Sequence, residues 1–428
     1  MSKYTPETKL AGIKAAAVAA FRDSSAVGDR GAMLREVCRL NGGRIDLERE
    51  GIELRPADKD NLTRFGLKAV HSEGRDLIVI ADTDSRRIPG LSEARRFDPR
   101  MRRMYQSTCA DAVLLRTSDY EAYQAPTQKA AVRAMATMPG GASLLVTMPT
   151  GAGKSLIFEV AALLERKKGT CIVVIVPTVA LAIAHVDALA DHPYLSASRC
   201  IHGGQDASTR KSTLDAFARG EVPILFVSPE IALGAAKDTL IEAARHPSRK
   251  LPGLEALLTT FVIDEAHIVE SWGRSFRPDF QRLQGLVESL RRENANLKTV
   301  LLSATINESA VAELKRAFGQ TEQLAVEAKV ARQEFDIVRH QYPTSAERDR
   351  ALLDLVDTLP RPAILYTTRV QHAKDLYAAC ASRGYQRLAL VTGDVQLGGS
   401  DRHGLIEDWK DGAIHLVVAT SAFGMGID

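Results

Sequence analysis

Thr150-Gly151-Ala152-Gly153-Lys154-Ser155 stands between a strand-like run, Ser143 to Met148, and a helix-like run, Leu156 to Arg166. A loop that leads into a helix presents unpaired backbone N–H groups and the positive end of the helix dipole, which suits a polyphosphate. Gly151 and Gly153 let the backbone bend close to the phosphates, Lys154 reaches the β/γ-phosphates, and the Ser155 hydroxyl can coordinate Mg²⁺. Downstream, Phe261-Val262-Ile263-Asp264-Glu265-Ala266-His267 closes a second apolar strand. Asp264 is placed there to hold the Mg²⁺ through water, and Glu265 to orient or deprotonate an attacking water. In this order the two segments describe a site that holds and cuts a nucleoside triphosphate. Either alone would leave a chance glycine turn or a chance acidic strand end as the competing explanation. One position departs from the general phosphate-loop pattern, which has a glycine where this chain has Met148.

The residues that follow narrow the reading. Asp264 to Phe280, with Trp272-Gly273-Arg274-Ser275-Phe276-Arg277-Pro278 at its centre, closely resembles motif II and the aromatic-rich loop of RecQ-family DNA helicases in superfamily 2. Val176-Pro177-Thr178-Val179-Ala180-Leu181 resembles motif Ia, and Val227-Ser228-Pro229-Glu230 motif Ib. Leu302-Ser303-Ala304-Thr305 resembles motif III, Ala363-Ile364-Leu365-Tyr366-Thr367 motif IV, and Val418 to Asp428 motif V. The resemblance runs from Asp119 to the last residue and leaves the first hundred or so uncovered. It implies an ATP-dependent DNA helicase or translocase that uses ATP and Mg²⁺ and works on single-stranded and forked DNA. Single-stranded DNA would cross the tops of two domains, with ATP closing the cleft between them and hydrolysis reopening it, giving 3′-to-5′ movement.

The resemblance also assigns residues. Gln128 occupies the place of a glutamine that reads adenine, within Gln124-Ala125-Pro126-Thr127-Gln128, where the family has Phe-Arg-Pro-x-Gln. Ala125 replaces the arginine, so Tyr123 or Tyr120 is a candidate to stack on the base instead, and an ordinary helix-start role for Gln128 stays open. Trp272, Phe276 and Phe280, interleaved with Arg274 and Arg277, combine aromatic faces for bases with guanidinium groups for phosphates, although burial in a core would also explain the aromatics. His267 is expected to relay contacts to motif III, or to be a hydrogen-bonded structural histidine. Ser303 and Thr305 either link the two sites or cap the helix that follows. Thr420 is expected on the nucleic-acid backbone, and Gly426 and Asp428 at the nucleotide across the cleft, both by resemblance.

These residues need elements to position them. From Thr117 onward strands and helices alternate, and short β-branched runs such as Cys171 to Val176 suit a parallel sheet buried on both faces. The fold class is α/β, with two RecA-like doubly wound parallel-sheet domains, the second incomplete, preceded by a small, mostly helical N-terminal module. The expected boundaries are 1–105 for the module, 106–330 for the first domain and 331–428 for the second, with Gly319 to Val330 as a linker. Within the module, Pro6 to Phe21, Gly31 to Leu40 and Pro56 to Val70 read as helices, and Asp76 to Ala81 as a strand. Arg86, Arg87, Arg95, Arg96, Arg100, Arg102 and Arg103 then form a basic stretch, either a solvated face or a contact for DNA or an acidic partner. The module is also the candidate dock for protein partners.

Composition bounds the rest. A formal charge of +3 does not itself announce nucleic acid, and 45% hydrophobic with 25% charged residues is ordinary for a globular protein. Five scattered cysteines with no Cys-x-x-Cys pair argue against a zinc site or disulfide framework and fit a reduced, cytoplasmic setting. No apolar run approaches the length that spans a bilayer, so no membrane partner is expected. Two other functions remain in play: an ATP-switched DNA-binding remodelling subunit of a defence or restriction complex, and a DEAH-type RNA helicase. Because the chain stops inside motif V, before the arginine-bearing motif of the family, the sequence is expected to be either a fragment or a truncated protein, with weak hydrolysis.

Overall fold

The computed structural model describes residues 6–81, 107–164, 169–250, 252–267, 278–304, 308–319, 322–328, 337–392, 396–397, 402–420 and 423. Two compact units result, one from Arg103–Arg332 and the other from Met1–Arg102 together with Gln333–Met425.

In chain order the strands are β1 (Arg44–Asp46), β2 (Leu67–Ser72), β3 (Arg75–Ile80), β4 (Thr108–Cys109), β5 (Ala122–Tyr123), β6 (Ser143–Thr147), β7 (Thr170–Ile175) and β8 (Arg199–Ile201). They continue with β9 (Ile224–Val227), β10 (Leu257–Ile263), β11 (Lys298–Ser303), β12 (Gln323–Glu327), β13 (Ala363–Tyr366), β14 (Leu388–Val391), β15 (Gln396–Leu397) and β16 (Leu416–Ala419).

The Arg103–Arg332 unit is built on a seven-stranded sheet in the order β12-β6-β11-β10-β7-β9-β8, parallel throughout. Successive side chains of a strand point to opposite faces, and here both faces are apolar. Leu144, Val146, Ile172, Val174, Val262, Val300 and Leu302 enter one core, and Leu145, Val173, Ile175, Phe261, Ile263 and Leu301 enter the other. Helices cover both faces, the architecture expected of continuous β-branched runs.

Gly319 to Val330 was expected as a linker, but it contains β12, which pairs with β6 from Gln323↔Ser143 to Glu327↔Thr147. Its alternating half-buried pattern marks an edge strand whose polar residues, Gln323 and Glu327, obscure it in the sequence.

The second unit draws on two distant stretches of chain. Its α/β part is a four-stranded sheet in the order β13-β16-β14-β15, parallel except for β15. The N-terminal part packs the helices Pro6–Asp23 and Val27–Leu40 on the antiparallel sheet β1-β3-β2. Pro56 to Val70, expected as one helix, splits into a short helix Pro56–Asp60 and the start of β2. The helix ends at its C-cap, Asn61, Gly66 at φ +62° then leads the chain into β2, and β2 pairs with β3 through a turn at Glu73-Gly74, both at positive φ.

The two stretches share one core. Phe21, Leu34, Val37, Phe65 and Ile78 pack with Val356, Leu376, Leu388, Leu416 and Val418. Charged groups bind the seam as well. Asp29 accepts hydrogen bonds from the backbone N–H of Gln386 (2.8 Å) and Arg387 (3.0 Å), and Arg35 Nε donates to the Thr358 carbonyl (3.1 Å). Arg64 grips Asp357 (2.8 and 3.1 Å), which also accepts from Arg383 and from the Tyr385 hydroxyl (2.7 Å). Where the sequence suggests a free-standing module before the first α/β domain, the structure builds these residues into the same compact unit as the last hundred. The arginine-dense stretch Arg86 to Arg103 lies outside the described residues.

Candidate active site

The loop after β6 carries the phosphate-binding pattern. Gly151 (φ +76°) and Gly153 (φ +72°) occupy left-handed backbone that glycine adopts without strain. A Cβ on Gly153 would also stand 2.3 Å from Gln128 Nε2. Ala152 is buried, and Thr150 is exposed beside Gly151. Met148, where the general pattern has glycine, is fully buried in one of the sheet's cores. Its main chain is used on both sides, since its N–H donates to the Ser303 carbonyl (3.0 Å) and its carbonyl accepts from Lys154 Nζ (3.3 Å). The helix Ser155–Leu164 begins directly after Lys154.

Gln128, 3% exposed, braces this loop. Its Oε1 accepts from the Gln124 N–H (2.7 Å) and its Nε2 donates to the Gly153 carbonyl (3.0 Å). Tyr123 is not available to stack on a base: it is 1% exposed, and its hydroxyl donates to Asp111 (2.8 Å). Burial, reinforced by that carboxylate, pushes the phenol far above its ordinary range. Tyr120 is 60% exposed.

At the end of β10, Asp264 is buried, and its Oδ1 accepts from the Glu265 N–H (2.9 Å). Its own N–H donates to the Ile175 carbonyl of β7 (2.9 Å). Glu265 sits at φ +49°, a left-handed conformation that costs a non-glycine residue of order 1–3 kcal/mol and that clusters at functional sites. His267 Nδ1 lies 3.3 Å from Glu265 Oε2 and 3.2 Å from Ser303 Oγ, so one ring nitrogen spans the carboxylate and the end of β11. Burial raises the Glu265 pKa, but the His267 hydrogen bond, the Lys154 charge and the Ala304 N–H outweigh it and hold the carboxyl below its usual range. An ionised, partly buried carboxylate within the influence of the loop lysine is suited to polarise water.

The oxygen donors Ser155 and Asp264 fit Mg²⁺, which is commonly held by one or two carboxylates together with substrate phosphates. Among the described residues no cluster of three or more His, Cys, Asp or Glu forms a metal cage of another kind.

Two polar residues at this site escaped the sequence reading. Glu159, one turn after Ser155 on the same helix, accepts a hydrogen bond from its hydroxyl, and His185 stands 3.6 Å from Asp264. The i,i+4 spacing from Ser155 could have exposed Glu159; nothing local points to His185.

Thr420 belongs to the other unit. It is 8% exposed, its N–H donates to the Val391 carbonyl (3.0 Å), and its carbonyl accepts from the Phe423 N–H (3.1 Å). Trp272, Arg274, Phe276, Arg277, Thr305, Gly426 and Asp428 lie outside the described residues.

A model of the DEAD/DEAH box helicase family matches residues 125–314, which hold every described residue of this site. The ATP-dependent DNA helicase RecQ of Synechocystis is 30% identical over 288 residues, covering 66% of this chain and 56% of that protein. The chain carries a RecQ-like helicase domain of superfamily 2. A further RecQ-like relative, the ATP-dependent helicase SGS1 of Saccharomyces cerevisiae, is 26% identical over 297 residues, 67% of this chain and 19% of that protein. The RecQ-like chain thus spans little more than half of the first relative and a fifth of the second. Among solved structures, the DUF1998 helicase MrfA bound to DNA and AMPPNP superposes with a TM-score of 0.55 at 17% identity, over 76% of this chain and 46% of that one. Mss116p bound to single-stranded RNA and AMP-PNP gives 0.51 at 17%, over 74% and 65%. At such identities these two support the fold alone.

Proposed function

We propose that this chain is the motor of an ATP-dependent DNA helicase or translocase of RecQ type, moving 3′-to-5′ on single-stranded DNA and opening forked duplexes. The observation that carries the reading is the convergence of Lys154, Ser155, Asp264 and Glu265 at the carboxyl ends of β6 and β10, with His267 joining Glu265 to Ser303. Thr150, Gly151, Ala152, Gly153 and Lys154 would cradle the triphosphate, and Gln128 would set the loop while offering its remaining amide valences to the base. Ser155 and Asp264 would hold Mg²⁺, whose charge, when bound, offsets that of the phosphates. Glu265 would take the proton of the attacking water.

The Glu265–His267–Ser303 contact supports a coupling role, since it ties the water-activating carboxylate to the strand end that leads towards Thr305. Trp272, Arg274, Phe276 and Arg277 are assigned to single-stranded DNA by their aromatic and basic composition, Thr420 to its backbone, and Gly426 and Asp428 to the nucleotide. A cytoplasmic setting is part of the same reading. Among the described residues no helix is long and apolar enough to cross a membrane.

The deciding experiment compares ATP turnover with no nucleic acid, single-stranded DNA and RNA, and then unwinding of forks bearing a 3′ or a 5′ tail. Stimulation by DNA and opening of 3′-tailed forks are expected. Stimulation by RNA alone would make it an RNA helicase, and turnover without strand separation would make it a remodelling ATPase. Trp272→Ala should lower the affinity behind DNA stimulation about five- to a hundredfold, the worth of one stacked base at roughly 1–3 kcal/mol.

A further inference from the structure

The site described above leaves two polar side chains unexplained between the metal donors. The Ser155 hydroxyl donates to Glu159, and His185, from the helix Val179–Ala188, lies beside Glu159. His185 Nε2 stands 3.6 Å from Asp264 Oδ2, with no hydrogen-bond partner of its own. Packing fixes the ring's direction: it stacks on Phe226 (5.2 Å between centroids, 14° between planes) and takes Phe158 edge-on (5.3 Å, 90°). Both phenylalanines are buried members of the core beneath the sheet. The result is a row of neighbouring polar groups, Ser155, Glu159, His185, Asp264, whose two ends are the two candidate oxygen donors.

We propose that His185, seated against Glu159, is a positioning residue for the Mg²⁺ site, orienting the Asp264 carboxylate through its outer oxygen and linking it to the Ser155 hydroxyl. The proposal rests on the nucleotide-site reading above and deepens it. Asp264 has its Oδ1 engaged by the Glu265 N–H, so its Oδ2 is the oxygen that needs a second restraint. A hydroxyl that lends a lone pair to a metal still has a proton to place, and Glu159 accepts it. Carboxylates that ligate metals are themselves held by outer partners, and losing such a partner lowers metal affinity about 10–100-fold. At 3.6 Å the His185–Asp264 contact is longer than a full hydrogen bond, which places the expected effect at the low end of that range.

The test follows binding of a fluorescent ATP analogue while Mg²⁺ is titrated, in the parent, His185→Phe and His185→Gln. Phenylalanine keeps a ring against Phe226 and deletes both nitrogens; glutamine restores a donor. In His185→Phe the half-saturating Mg²⁺ concentration should rise about tenfold, with binding at saturating Mg²⁺ unchanged, and His185→Gln should stay close to the parent. If His185→Phe lowers the unfolding midpoint, His185→Leu repeats the comparison. An unchanged Mg²⁺ requirement without the nitrogens, or an equal loss in His185→Gln, overturns the assignment. Lys154→Ala separates the two levels of inference. If parent binding is independent of both Mg²⁺ and Lys154, the nucleotide-site reading falls and takes this proposal with it; if both dependences hold in the parent and only His185 is silent, His185 alone is misassigned.

Discussion

The Arg103–Arg332 unit closes two apolar cores over one continuous stretch of chain, whereas the other unit joins stretches from opposite ends of the sequence through a core crossed by buried charge. In the first, the buried Gln128, Asp264 and Ser303 belong to the candidate active site, held by strand ends and a strained backbone at Glu265. In the second, Asp29, Arg35, Arg64 and Asp357 serve the seam itself. The difference separates chemistry from assembly: one unit gathers its buried charge at the candidate nucleotide site, the other uses it to hold two chain segments together. Each prediction below acts on one side of that contrast.

The largest effect should come from Glu265→Gln, which removes the base while keeping size and shape. ATP turnover should fall about 10²–10⁴-fold, the usual contribution of general base catalysis, with nucleotide binding and the unfolding midpoint near those of the parent. Turnover at the parent rate would remove Glu265 from the mechanism.

On the other side, Asp357→Ala strips the partner from Arg64, Arg383 and Tyr385 at once. Breaking a buried charge cluster by deleting one member typically costs 3–5 kcal/mol, so urea unfolding of this unit should shift by about that much. Binding of a fluorescent nucleotide should persist, because no residue of the nucleotide site lies in the seam. Loss of binding in step with stability would show the two units to be energetically inseparable.

A smaller change should follow acidification. Burial, aided by the neighbouring Arg387 and Arg361 charges, pushes His415 down to about 4, and neutral His415 accepts from Arg387 Nη1 (3.1 Å). Its folded pKa lies below the unfolded value, so the unfolded chain binds the proton more readily. The contribution of this group to stability is therefore complete above pH 6.5 and declines as pH falls towards 4. At 1.36 kcal/mol per pKa unit the loss reaches about 3 kcal/mol. His415→Gln should flatten that part of the stability–pH profile.

The smallest test concerns the seam's closest approach. A Cβ on Gly28 would stand 2.5 Å from the Gly384 carbonyl oxygen, backbone against backbone, whereas one on Gly12 would meet nothing within 4 Å. Gly28→Ala should destabilise by about 1–3 kcal/mol through overpacking, and Gly12→Ala, on the exposed face of the helix Pro6–Asp23, should stabilise by roughly 0.5–1 kcal/mol. Equal effects in thermal unfolding would mean that the two glycines do not differ as the seam requires.

The sequence made much of the catalytic unit legible because its signals are local. A buried parallel strand must be apolar on both faces, so β6, β7, β9, β10 and β11 announce themselves as unbroken runs. The loop from Thr150 to Ser155 needs its glycines, lysine and hydroxyl in consecutive order, and that order is itself the evidence. β12 was less visible because an edge strand may carry glutamine and glutamate on its open face. The β2–β3 hairpin was hidden behind a helix-like start at Pro56 until Gly66 and the Glu73-Gly74 turn redirected the chain.

What the sequence determined by itself is therefore the candidate residues of a nucleotide site and the strands that carry them, since spacing along a strand or into a helix start converts directly into geometry. Only the tertiary structure decided that Tyr123 is spent on Asp111, that His185 faces Asp264 and that Asp29 caps the N–H groups of Gln386 and Arg387. None of those pairs follows a helix or strand spacing, and their charged or polar members read locally as ordinary surface. Their partners are set by how sheets and helices close in space, which no spacing along the sequence records.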